Sequence, residues 1–127
     1  MSDAAAVAER LVAELSRRGL THGRACERPD LRALVSGLVD EGKAVAAAQG
    51  IELDADPEAL IDHAAKPEVA YDHKASMLQD VEARRATEVD YLNGGIVRFG
   101  RESGVPTPLN EAIWALVKGV EASWMES

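Results

Sequence analysis

Aromatic side chains are scarce in this chain: two Trp, two Tyr and one Phe among 127 residues. A core built on stacked rings is therefore excluded, and the Ala-, Leu- and Val-rich apolar content suits helices that approach closely. Cysteine occurs once, at Cys26, which excludes an internal disulfide and makes a reducing, cytoplasmic setting the expected one. His22 and Cys26 sit four apart, too few ligands for a metal site, so no metal is expected. Positive charge is also short: 14 Lys and Arg against 22 Asp and Glu leave a net charge of −8, with no basic block. That balance argues against a nucleic-acid partner. No apolar run is long enough to span a membrane, and the start lacks a basic region followed by an apolar stretch, so neither a membrane partner nor a signal peptide is expected. Strand-like alternation, internal repeats and low-complexity stretches are missing.

What is present is helical periodicity. Ala4, Val7, Ala8, Leu11, Val12 and Leu15 repeat at three and four, predicting an amphipathic helix over 3–18 that ends at Gly19. Residues 19–28 read as a connector. Pro29 suits a first helical position, and Leu31, Leu34, Val35, Leu38, Val39, Val45 and Ala46 mark a long helix closed by Gly50. Gly37 and Gly42 weaken it, so a close neighbouring helix is expected to compensate. Ile51 and Leu53 read as packing an extended link. A short helix from Asp56-Pro57 to about Ala65 would point Leu60 and Ile61 inward and leave His63 in solvent. Near the end, Thr107 and Pro108 open a last helix with Leu109, Ile113, Leu116, Val117, Val120 and Trp124 inward. The expected fold is all-α: a compact bundle of about six helices in a single domain, residues 1–127.

The rest is organised around KASMLQDVEARRATEVDYLNGG, Lys74 to Gly95. Ser76, Gln79, Asp80 and Ala83 share one helical face, with Met77, Leu78, Val81 and Arg85 on the other. A face bearing a hydroxyl, an amide and a carboxylate is unusual for plain solvent contact. Thr87 reads as an N-cap restarting the helix, with Asp90 as a capping-box acid and Glu88 in the first turn, where the helix dipole favours an ionised carboxylate. Val89, Leu92, Ile96 and Phe99 then point to a core. Gly94-Gly95 interrupt this helix, which asks for a close approach by another helix, a subunit or a ligand. The helix is expected to run to Ser103 with Gly104 as its cap.

The runs SMLQDVEARRATEVDYLNGG and GVPTPLNEAIWALVKGVE, in this order and spacing, closely resemble the C-terminal domain of ketopantoate reductase (2-dehydropantoate 2-reductase). The likeness reaches back through GLTHGRACERPDLRAL and covers roughly residues 19–121, leaving 1–18 as a divergent N-terminal helix. The resemblance implies NADPH-dependent reduction of 2-dehydropantoate to pantoate, in pantothenate biosynthesis. It implies that Ser76, Met77, Leu78 and Gln79 match the family's substrate-binding serine run. It implies that Glu88 matches the glutamate at the cofactor end of the cleft. Beside this stands the plain reading of Ser76 as an N-cap and Glu88 as a dipole partner.

Two departures shape the functional expectation. The family's catalytic lysine aligns with Ala4 without gaps, its asparagines with Ala8 and Val12. A gapped match gives Arg10 and Glu14 instead, and guanidinium is a poor proton donor near neutral pH. A further substrate-side asparagine of some members falls at His22. No glycine-rich strand–turn–helix for a dinucleotide stands in these residues. The chain is therefore expected to be inactive alone, to bind no cofactor alone, and to act with a separate dinucleotide-binding domain on a 2-dehydropantoate-like small acid. The competing reading is a free-standing helical module for dimerisation or small-acid binding. In either case a homodimer is expected.

Overall fold

The computed structural model describes residues 21–69 and 76–125, with the backbone alone at His22, Ala25 and 76–78. The expected helix over 3–18 lies outside the described residues. Six helices are described: α1 His22–Glu27, α2 Pro29–Ala48, α3 Pro57–Ala64, α4 Ser76–Glu82, α5 Asn93–Ser103 and α6 Pro108–Met125. No strand occurs among the described residues, so the fold is all-α as expected.

The stretch 19–28 is not simply a connector. Thr21 Oγ1 accepts a hydrogen bond from the amide of Arg24 at 3.4 Å, and this cap starts α1. α2 follows with Pro29 in its first turn and is the axis of the domain, packing on α1, α3, α5 and α6. It closes at Gly50 in the left-handed region, where the Gly50 and Ile51 amides return to the carbonyls of Ala47 and Ala46 at 3.1 and 2.8 Å. Gly37 faces the Leu109 side chain, the close helix contact that a glycine there requires.

Asp56 caps α3, accepting from the Glu58 amide at 3.1 Å. α2 and α3 are joined by charge: Arg32 meets Glu58 at 3.2 Å and Asp62 at 3.1 Å, Lys43 meets Asp56 at 3.0 Å, and Ser36 donates to Glu58. These bonds hold the Glu58 carboxyl below its usual range, Ser36 first and Arg32 next, while Lys43 does the same for Asp56. Ionic pairs lie along this edge, while Leu60, Ile51 and Leu53 keep about half or more of their surface uncovered. All three are exposed, against the expectation that they pack inward.

α5 ends on Gly104 in the left-handed region, as expected. The chain then turns back into α6. The pairs Arg101–Glu111, Lys118–Asp90 and Thr87–Glu121 step away from that link in order, so 87–103 and α6 run antiparallel. Thr107 stands just before α6, but Glu41 of α2 caps the helix. Its carboxylate accepts from the Leu109 and Asn110 amides, both at 2.9 Å. On α6 the buried residues are Asn110 and Glu121, and the expected inward Leu116 is exposed. The polar positions face the interior because they hold Glu41 and Thr87. Among the described residues, the buried apolar core is Val45, Val81, Val89 and Val97.

Candidate functional site

The site residues singled out in the sequence lie on α4 and on the loop that follows it. α4 ends where Arg84 adopts a left-handed conformation, φ 56°. The Arg84 and Arg85 amides then bond back to Val81 and Asp80 at 3.1 and 2.8 Å. The closure has the geometry usually given to glycine, here carried by an arginine. The chain runs extended to Thr87 and then turns. The Tyr91 and Leu92 amides reach the Glu88 carbonyl at 3.0 and 2.9 Å, and the Gly94 amide reaches Val89 at 2.9 Å. The helix therefore restarts at Asn93, not at Thr87. Thr87 does cap, accepting from the Val89 amide at 3.3 Å, but it caps one isolated turn. Asp90 is no capping-box acid, because its carboxylate is drawn across to α6.

Three of four consecutive residues are anchored. Thr87 Oγ1 donates to buried Glu121 at 2.7 Å. Val89 is fully buried. Asp90 accepts from the Trp114 indole at 2.8 Å and from Lys118 Nζ at 3.2 Å. These two bonds, the indole first, hold the Asp90 carboxyl below the ordinary aspartate range. The guanidinium of Arg98 lies 5.8 Å from the centre of the Trp114 ring and donates to the Asp90 carbonyl at 2.9 Å. Gly94 makes room for the ring: a Cβ there would stand 2.9 Å from Cε2 of Trp114.

A second anchor holds the start of α5. Asn110 is 1 % exposed. Its amide nitrogen donates to Glu41 at 2.9 Å and to the Leu38 carbonyl at 3.2 Å, and its oxygen accepts from Asn93 at 3.0 Å. A buried amide with both donors and its oxygen engaged rigidifies its surroundings, and here it ties α2, α5 and α6 at one point.

The fourth residue, Glu88, is left out of these bonds. It is exposed, and its side chain has no hydrogen-bond or ion-pair partner among the described residues. Gln79 lies on the exposed side of α4. Ser76, Met77 and Leu78 begin α4, and their side chains lie outside the described residues, as do Ala4, Ala8, Arg10, Val12, Glu14 and the His22 side chain. Sequence reasoning missed Glu41, Asn93, Trp114, Lys118 and Glu121. Glu41 carried a signal: an acid three residues from Leu38 and four from Val45, on the apolar stripe of α2.

Beside the turn, α2 and α5 enclose a groove of about 410 Å³. Gly42, Ala46 and Gly95 form small parts of its wall, and Ile51, Tyr91, Leu92 and Phe99 its large ones. Leu92 and Phe99 are each more than half exposed, so the apolar stripe of α5 lines an open groove, not a sealed core as expected. The two amides here are engaged, Gln49 with Ser103 at 2.5 Å and Asn93 with Asn110. Among the described residues no helix is long and apolar enough to cross a membrane, and no group of His, Cys, Asp and Glu could hold a metal.

The helical fold of the described residues is one found in dehydrogenase structures. The family described as "Ketopantoate reductase PanE/ApbA C terminal" matches residues 17–121, and the chain belongs to that family. The 2-dehydropantoate 2-reductase of Archaeoglobus fulgidus is 36 % identical over 101 residues, which is 80 % of this chain and 33 % of the relative. That of Pyrococcus abyssi is 38 % identical over 96 residues, 76 % and 31 % of the two chains. This chain thus spans about one third of the length of these relatives. Among solved structures, a D-mandelate dehydrogenase with NADH and anilino(oxo)acetate aligns with a TM-score of 0.74 and 36 % identity over 82 % of this chain and 58 % of its own. The PanE/ApbA family ketopantoate reductase of Ralstonia eutropha aligns with a TM-score of 0.74 and 31 % identity over 93 % and 40 %.

Proposed function

We propose that this chain is the substrate-side, C-terminal domain of a 2-dehydropantoate 2-reductase, working with a dinucleotide-binding domain that carries NADPH. The observation that carries the reading is Glu88: its neighbours Thr87, Val89 and Asp90 are held from behind, while its carboxylate is exposed and meets no partner among the described residues. An acid so presented can meet a ligand without first breaking a bond of its own. Ser76, Met77, Leu78 and Gln79 supply the polar start of α4 that takes the small acid, and Glu88 orders the nicotinamide side of the cleft. NADPH supplies the hydride when bound. Its phosphates need a glycine-rich strand–turn–helix, which the described all-α residues do not offer, so a separate domain is assigned that task. Proton donation to the new alkoxide falls to a lysine outside residues 19–121, since Ala4 or Arg10 occupies the matching place here.

A chimera tests this. The dinucleotide domain and lysine-bearing helix of the Archaeoglobus fulgidus relative are joined to residues 19–121 of this chain. Oxidation of NADPH dependent on 2-dehydropantoate is expected from the chimera and not from the 127-residue chain. Glu88→Gln in the chimera lowers kcat/KM by about a hundredfold or more, the usual scale for a positioned polar group. A folded chimera without activity, or one indifferent to Glu88→Gln, would refute the assignment. The free-standing alternative has one observation in its favour, the open apolar groove between α2 and α5.

A further inference from the structure

Glu121 is a buried acid to which the reductase reading gives no task. It is 4 % exposed on α6, and its one hydrogen bond among the described residues comes from Thr87 Oγ1 at 2.7 Å. Its other oxygen lies 3.9 Å from Lys118 Nζ, which Asp90 holds at 3.2 Å. Asn110, the other buried residue of α6, has both donors and its oxygen engaged. Burying a carboxylate is costly unless it is closely paired and fully hydrogen-bonded, and an apolar or amide side chain would fill this place at lower cost. Packing alone therefore does not account for an acid here.

What the acid adds is direction. A hydroxyl donates one bond and accepts others, so opposite an amide it can turn either way. A carboxylate only accepts. Thr87 must therefore donate to Glu121, and its oxygen is left to accept the Val89 amide at 3.3 Å. That second bond spans Glu88, because its donor and acceptor belong to the residues on either side. Val89 is fully buried, and the Glu88 carbonyl takes the Tyr91 and Leu92 amides at 3.0 and 2.9 Å. The backbone on both sides of Glu88 is thus fixed by a chain of bonds that begins at Glu121. Linked hydrogen bonds polarise one another, so the charge at one end strengthens the bond at the other.

We propose that Glu121 is a positioning residue for the reduction: through Thr87 it fixes the turn that presents Glu88 to the nicotinamide side of the cleft. The proposal rests on the reductase reading of Glu88. Glu121→Gln keeps the size and an acceptor but loses the direction. In the full chain, shown folded by circular dichroism, this variant is expected to exchange the Val89 amide about tenfold faster than the wild type, while the amides of α5 keep their rates. In the chimera, extended to carry residues 19–127 so that Glu121 lies inside α6, it lowers kcat about tenfold. The KM for 2-dehydropantoate stays within about twofold, because the acid is held at the start of α4. In a Glu88→Gln background the same change lowers kcat by less than about twofold, since the group to be positioned is gone. Thr87→Val cuts the link from its other end and gives the same pattern. Glu111→Gln, the same exchange at an exposed site of α6, leaves exchange and kcat unchanged. A chimera that depends on Glu88 but not on Glu121 would overturn this proposal alone. So would an unchanged Val89 amide, equal losses in both backgrounds, an equal loss in Glu111→Gln, or failure of both link variants to fold. A chimera without activity, or one indifferent to Glu88→Gln, would refute the reductase reading and take this proposal with it.

Discussion

The two faces of α5 follow opposite plans, and the neighbours Gly94 and Gly95 mark the border between them. Gly94 looks toward α6, where the Trp114 indole lies against it. On that side the bonds are filled: Thr87 with Glu121, Asp90 with Trp114 and Lys118, Asn110 with Asn93 and Glu41. Gly95 looks toward the groove, where large apolar groups stand exposed and a Cβ would meet nothing within 4 Å among the described residues. One helix is thus finished on one side and unfinished on the other. The difference teaches that small residues in a helix have two separate uses: one admits a neighbour already in place, the other keeps a space free.

The sharpest way to break the contrast is Gly94→Ala. The new methyl would press on a ring held by an indole hydrogen bond and an arginine, so the ring has little freedom to retreat. Overpacking of this kind costs about 1–3 kcal/mol, and urea unfolding should show a midpoint lowered accordingly. A smaller loss is expected from Asp90→Asn. Because the folded carboxyl titrates below its unfolded range, its contribution is complete above the ordinary aspartate pKa of about 3.9 and is lost as pH falls through the lower folded value. The melting temperature of the wild type should therefore fall more steeply than that of Asp90→Asn as pH drops through that window. The least effect belongs to Gly95→Ala, which has room for its methyl and gains helix propensity. Its stability should change by less than about 1 kcal/mol, toward the stable side.

Helices were legible wherever apolar spacing and caps agreed. Pro29 to Gly50 and Pro57 to Ala64 fell close to where the periodicity placed them. The restart at Thr87 did not, because the capping-box pattern competes with a partner far along the chain: Asp90 is closer to satisfaction on Trp114 and Lys118 than on a backbone amide. Glu41 was missed for a related reason. It caps α6 from 68 residues away in sequence, and no local rule reaches that far. Apolar stripes were read as inward at Leu60, Leu92, Phe99 and Leu116, yet all four are exposed. Periodicity finds the apolar face of a helix but not whether that face is covered.

For the candidate site, the linked runs around Ser76 and Glu88 nominated residues but carried no geometry. That the neighbours of Glu88 are tied is a property of α6, which contributes Trp114, Lys118 and Glu121 to the turn.

Thermal unfolding of Glu88→Gln against the wild type and Asp90→Asn tests that arrangement most directly. If the turn is held by its neighbours and Glu88 is kept for a ligand, Glu88→Gln melts with the wild type, within the roughly 0.5 kcal/mol typical of exposed substitutions, while Asp90→Asn melts lower. A fall in Glu88→Gln as large as that of Asp90→Asn would show that Glu88 holds the turn together, and would contradict the account.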